Sequence, residues 1–153
     1  MRTARNTAVA TVAFISIGGW LVLFAGFLWW TFQPVQLTSV AQPVEILNEG
    51  NEIRIGEPIV LRLAVDKPDG IRAVAADRFL ECDSGNLVSL TSSTKDLPPG
   101  SYVIINDKTV LPAKVSPGDV CVFVFRNTYS VNPIRTETVE WRSEPFTVLP
   151  AKG

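Results

Sequence analysis

The side chains with chemistry to offer are two cysteines, Cys82 and Cys121, and a set of carboxylates, Asp66, Asp69, Glu81 and Asp83; there is no histidine. Without an imidazole neither a Ser-His-Asp nor a Cys-His nucleophile can be assembled, and the commonest metal ligand is missing. Two cysteines and one methionine cannot furnish a Cys-rich zinc or iron–sulfur site. The four carboxylates carry oxygens that suit calcium if they meet at one end of a domain. No EF-hand spacing or repeated Asp-x-Asp supports that, and aspartates near glycine and proline serve turns by themselves. Serine and lysine occur here in turn-like settings that do not suggest a dyad. A catalytic site needs a convergent constellation, and none is visible, so the sequence points to a non-enzymatic protein using no cofactor and no metal.

The elements that must position these residues differ sharply in composition. From Asn6 to Val44 there is no charged residue, and all fifteen acidic side chains lie at or after Glu45. Arg2 and Arg5 precede the uncharged stretch, and the other twelve basic residues follow it, leaving the distal part at −3. With both signs interspersed, this is a solvated surface rather than a nucleic-acid footprint. Ala8 to Trp30 is apolar enough to predict a transmembrane helix, which we place at residues 8–32 between a short cytoplasmic tail (1–7) and a tether (33–44). As a helix the run reaches about 35 Å, against a hydrocarbon core of roughly 30 Å. Trp29, Trp30 and Phe32 then serve as membrane-interface anchors. The basic amino flank places the N-terminus in the cytoplasm and the C-terminal domain outside, a single-pass membrane localisation with the lipid bilayer as a partner. Ser39-Val40-Ala41 has the small-x-small form of a signal-peptidase site, but the apolar run exceeds the 7–15 residues of a signal h-region, which favours a retained anchor. Ala4, Thr11, Gly18 and Ala25 recur every seven residues, a stripe through which the span can form a homo-oligomer.

Residues 45–150 read as a β-rich domain. Ile59, Leu61, Leu63 and Val65 alternate with Val60, Arg62 and Ala64, the pattern of a half-buried strand. Turn residues at Asp66–Gly70, Asp83–Asn86, Pro98–Gly100 and Ser116–Asp119 separate further short runs at 87–91, 101–106, 109–115, 120–128, 136–141 and 145–149. Residues 71–80 fit either a helical face or a strand, and we take the strand. Seven to nine such strands predict an antiparallel sandwich. An even cysteine pair in a domain placed outside the cytoplasm is most simply a Cys82–Cys121 disulfide, with two buried free thiols as the alternative.

The strand opening at Cys121 in GDVCVFVFRNTYS, followed by a loop and a closing SEPFTVL, resembles the last two strands of an immunoglobulin-like or fibronectin-like sandwich. The resemblance covers roughly residues 45–149 and implies an all-β antiparallel fold. No tryptophan lies between the cysteines and no tyrosine two residues before Cys121, so the inter-sheet disulfide of that family is not carried over. One span with one outer sandwich also resembles small phage-encoded envelope proteins, a likeness of layout without a motif.

In 120–125 both faces are apolar, Cys121, Phe123 and Phe125 on one, Val120, Val122 and Val124 on the other. The three valines are therefore an expected interaction patch, against the simpler reading that neighbours shield them. The function that follows is a membrane-anchored, extracytoplasmic binding module contacting another membrane or envelope protein or an incoming macromolecule. The alternative is a structural subunit of a larger envelope or virion assembly.

Overall fold

The computed structural model describes the backbone over residues 2–90 and 97–152, and the side chains of these residues except 2–15 and 17. The chain forms two compact units, Met1–Val35 and Gln36–Gly153. In the first, the uncharged stretch is a single helix, α1, Arg2–Phe32. It continues until Pro34, whose missing N–H cannot extend the ladder, and Gln33 N–H still donates to Trp29 O at 2.8 Å.

The transmembrane expectation over 8–32 is corrected here. Among the described residues no helix is long and apolar enough to cross a membrane. In that part of α1, Gly18, Gly19, Gly26 and Thr31 contribute little transfer free energy, and Trp20, Trp29 and Trp30 are amphipathic rather than purely apolar. The single-pass localisation is withdrawn with it. The side chains of 8–15, and Ala4 and Thr11 of the small-residue stripe, lie outside the described side chains.

The second unit is built from ten strands in two sheets. These are β1 (Ser39–Val40), β2 (Glu45–Ile46), β3 (Glu52–Arg54), β4 (Pro58–Lys67), β5 (Arg72–Cys82), β6 (Leu87–Leu90), β7 (Gly100–Val110), β8 (Val120–Asn132), β9 (Arg135–Arg142) and β10 (Phe146–Leu149). One sheet runs β1-β4-β2 with β7 on the other side of β4; the second runs β3-β10-β8-β5-β6 with β9 also on β8. The expected purely antiparallel arrangement is corrected too: β10 pairs β3 in parallel, and Val44 bridges Ser143 in parallel. Within the stretch expected as a tether (33–44), Ser39–Val40 pairs with β4 and Val44 bridges Ser143.

The ambiguous segment 71–80 is strand, and Asp107-Lys108, between the runs expected at 101–106 and 109–115, is absorbed as a bulge in β7. There the pairing of β4 steps from Ile59↔Thr109 to Leu61↔Asn106. The run expected at 109–115 stops at Val110, because Pro112 cannot donate to a ladder, and Leu111 and Val115 pack inward from the connection.

Cys82 and Cys121 form the disulfide. They stand directly opposite one another on β5 and β8, with Cα atoms 4.1 Å apart, so the bond staples neighbours within one sheet. An immunoglobulin bridge instead joins two sheets. Around it Ile53, Ile59, Leu61, Leu80, Phe123, Phe146 and Val148 are fully buried, a dry core at this end of the domain. Ser143 is buried there too, accepting from Phe123 N–H at 2.9 Å and donating to Glu144 O at 2.7 Å, so its hydroxyl is committed to the backbone.

Candidate functional site

The inward-facing positions change character towards the opposite end. On β4 the inward phase runs Ile59, Leu61, Leu63, Val65 and then Lys67, and on β8 it runs Cys121, Phe123, Phe125 and then Asn127 and Tyr129. On β5 it passes from Cys82 and Leu80 to Arg78, and then to the small Ala76 and Ala73 past a bulge. A charge or amide on three facing strands, with alanines opposite, cannot pack as a hydrocarbon core. The sheets border an open cavity of about 570 Å³ here, within the range of small-molecule sites.

Its apolar wall comes from Leu63 and Val65 on β4, Val40 on β1, Ile104 on β7, Phe125 on β8 and Trp141 on β9. Trp141, Phe125 and Val65 are buried. Its polar groups are Thr38, Lys67, Arg78, Asn106, Lys108, Thr109, Asn127 and Tyr129. Lys67 is buried, and its ammonium donates to Leu97 O. Asn127 donates to the Tyr129 hydroxyl at 3.3 Å.

Two groups in this wall are under-used. The Thr38 hydroxyl is buried without a hydrogen-bond partner among the described residues, a state that folded proteins rarely leave unexplained. Arg78 is half-buried, with its guanidinium 5.9 Å from the centre of the Phe125 ring and no carboxylate partner among the described residues. Burial holds its pKa below the ordinary arginine value, the direction expected when a charge loses water without gaining a counter-ion.

The valine face of β8 is different from the expected patch. Val120 is exposed and Val122 half-buried, but Val124 is fully buried, so the three do not form one open stripe. The cover is a charged lattice. Arg142 on β9 pairs with Glu140 at 2.9 Å and with Glu81 on β5 at 2.8 Å, while Arg126 on β8 pairs with Glu140 at 2.9 Å. Arg126 also lies 5.1 Å over the Phe79 ring. Phe79 and Arg142 stand opposite Val124 on its two neighbouring strands, so the Phe79 ring and the Arg142 stem roof it while the guanidinium stays wet. The Arg126 and Arg142 hydrogen bonds hold Glu140 below its ordinary carboxylate pKa, and the same bond to Glu140 raises Arg142.

The four acids weighed for calcium are not brought together. Asp66 and Asp69 lie at the cavity end, where Asp66 accepts from the Ser101 hydroxyl at 2.8 Å. Glu81 and Asp83 lie at the disulfide end, one on Arg142 and the other accepting from Val120 N–H at 3.1 Å. The length of β5, eleven residues or roughly 36 Å, separates the two pairs. Asp119 approaches Cys82 and Cys121, but sulfurs bonded to each other are not thiolate ligands. Trp29, Trp30 and Phe32 are exposed on the last turns of α1.

No family model, curated protein or solved structure matches the chain. Its function has to be read from the cavity and its walls. The sequence reading missed this site, although one signal was present: Lys67, Arg78 and Asn127 each occupy the inward phase of an otherwise apolar strand.

Proposed function

We propose that the β-rich domain is a non-enzymatic binding module that seats a small, partly apolar ligand between its two sheets. The observation that carries this reading is a cavity of about 570 Å³ that combines an aromatic and aliphatic wall with under-used polar groups. A cavity left over from poor packing would be apolar and small, because a buried polar lining costs free energy unless something satisfies it. Among the described residues no nucleophile paired with a base stands in this wall, so the polar groups are suited to orienting a ligand rather than transforming it.

The test is binding of an uncharged fluorescent probe, N-phenylnaphthylamine, to the full chain and to Ala73→Phe. Ala73 lines the cavity from β5, and a phenyl ring there fills space the ligand needs. The reading expects saturable binding that Ala73→Phe reduces about tenfold or more, the effect of losing most apolar contact in a pocket. Adsorption to the exposed apolar residues of α1 is common to both proteins and drops out of the comparison. Equal binding by the two folded proteins would refute the site.

A second reading, a module or structural subunit that docks on another protein, is favoured by β7. Among the described residues β7 pairs only with β4, and it exposes Val103 and Ile105 on its outer face. An exposed strand of this kind is a template for an added strand.

A further inference from the structure

We propose that the ligand of the inter-sheet cavity is an amphiphilic anion, its single carboxylate-like headgroup beside Arg78 and its apolar body against Phe125, Trp141, Leu63 and Val65. This rests on the ligand-binding reading above and adds the chemical class.

The wall's charge balance carries the argument. Acidic residues outnumber basic ones in the chain after residue 44, fifteen to twelve. Yet the described lining residues include Lys67, Arg78 and Lys108 and neither an aspartate nor a glutamate. The wall therefore inverts the balance of the domain that contains it. Lys67 spends one donor on the Leu97 carbonyl, and Lys108 is exposed, so each has other calls on its charge. Arg78 does not: it has no carboxylate among the described residues and lies against an aromatic ring that also lines the cavity.

A half-buried guanidinium beside a ring keeps its planar fork of donors oriented, and that fork matches a carboxylate through two parallel hydrogen bonds. A neutral hydrocarbon would cover Phe125 and Trp141 but leave Arg78 desolvated and unpaired, which is costly. A small hydrated anion such as inorganic phosphate would pair Arg78 but leave the aromatic and aliphatic wall unused. Only a molecule with both parts uses both halves of the wall. Thr38, whose hydroxyl has no partner among the described residues, and Asn127 add hydrogen-bonding capacity for a headgroup.

The experiment displaces N-phenylnaphthylamine from the full chain with dodecanoate, dodecanol or dodecyltrimethylammonium, each below its micelle concentration. The proposal expects dodecanoate to compete about tenfold or more better than dodecanol, with the cationic amphiphile weakest, as for a charge-assisted hydrogen bond. Arg78→Gln removes the preference, and Arg78→Lys keeps part of it. Thermal unfolding of each variant, with the disulfide intact, shows that the comparison is between folded proteins. If Ala73→Phe weakens all competitors while dodecanoate has no advantage in the wild type, the cavity reading stands and the anion inference is overturned. If Ala73→Phe weakens none, the cavity reading fails and takes the inference with it. Vesicles carrying phosphatidylglycerol separate the source of the headgroup. Binding to vesicles that depends on Arg78, without any Arg78-dependent binding of free dodecanoate, overturns a free amphiphile as ligand.

Discussion

Arg142 on β9 is paired with Glu81 on β5 at 2.8 Å, although β8 runs between those strands. The ion pair must therefore pass over β8, and the register puts it above Val122 and Val124. A strand that looks apolar on both faces is thus covered on its outer face by long charged side chains, whose stems exclude water while their ends remain solvated.

The three valines consequently respond differently to a charge. Val124→Lys buries an ammonium beneath Arg126 and Arg142 and should destabilise the domain by several kcal/mol. Val120→Lys, on an exposed position, should stay within about 0.5 kcal/mol of wild type. Urea unfolding of the two variants checks this, and equal effects would remove the roof described above.

The Cys82–Cys121 bond closes a loop of 39 residues of sequence separation. On the chain-entropy account its loss costs roughly 3–4 kcal/mol. Denaturant midpoints with and without a reductant should differ accordingly, with the reduced protein less stable; coincident transitions would show that the dry core alone holds that end.

Acid should expose the surface lattice. Glu140 titrates below its ordinary value when folded, so the unfolded chain takes up its proton first as pH falls. Its contribution is then complete above the unfolded carboxylate pKa of about 4.3 and lost as pH falls through the lower folded value. Melting temperatures of wild type and Glu140→Gln should differ near neutrality and converge in acid. A difference that grows in acid would contradict the sign.

How much of this is legible in the sequence depends on the residue. The alternation from Ile59 to Val65 and the turn residues around it mark β4, and the cysteine pair marks the disulfide, because periodicity and residue type are local properties. Arg78 shares the inward phase of Leu80 and Cys82, which alternation alone gives; that this phase borders a cavity depends on β4, β7 and β9, which the local pattern does not name. The burial of Val124 is likewise set by Arg142 and Phe79, which are distant in sequence. The helix α1 follows from its uncharged run, whereas its expected membrane role does not survive in the described residues. Residues 39–44 read as part of the 33–44 tether because the pairing of Ser39–Val40 with β4 and of Val44 with Ser143 depends on neighbours the local pattern does not name.

The central claim is that a ligand sits between the sheets at the Arg78 end. The most direct measurement is a methyl-resolved NMR titration of the full chain with dodecanoate. Methyls of Leu63, Val65 and Val40 line the cavity, whereas those of Ile53, Ile59 and Val148 belong to the dry core beside the disulfide. The account predicts saturable shifts and ligand contacts in the first group, little change in the second, and loss of the shifts in Ala73→Phe. Shifts confined to α1, with the methyls of Leu63, Val65 and Val40 unmoved at saturation, would contradict it.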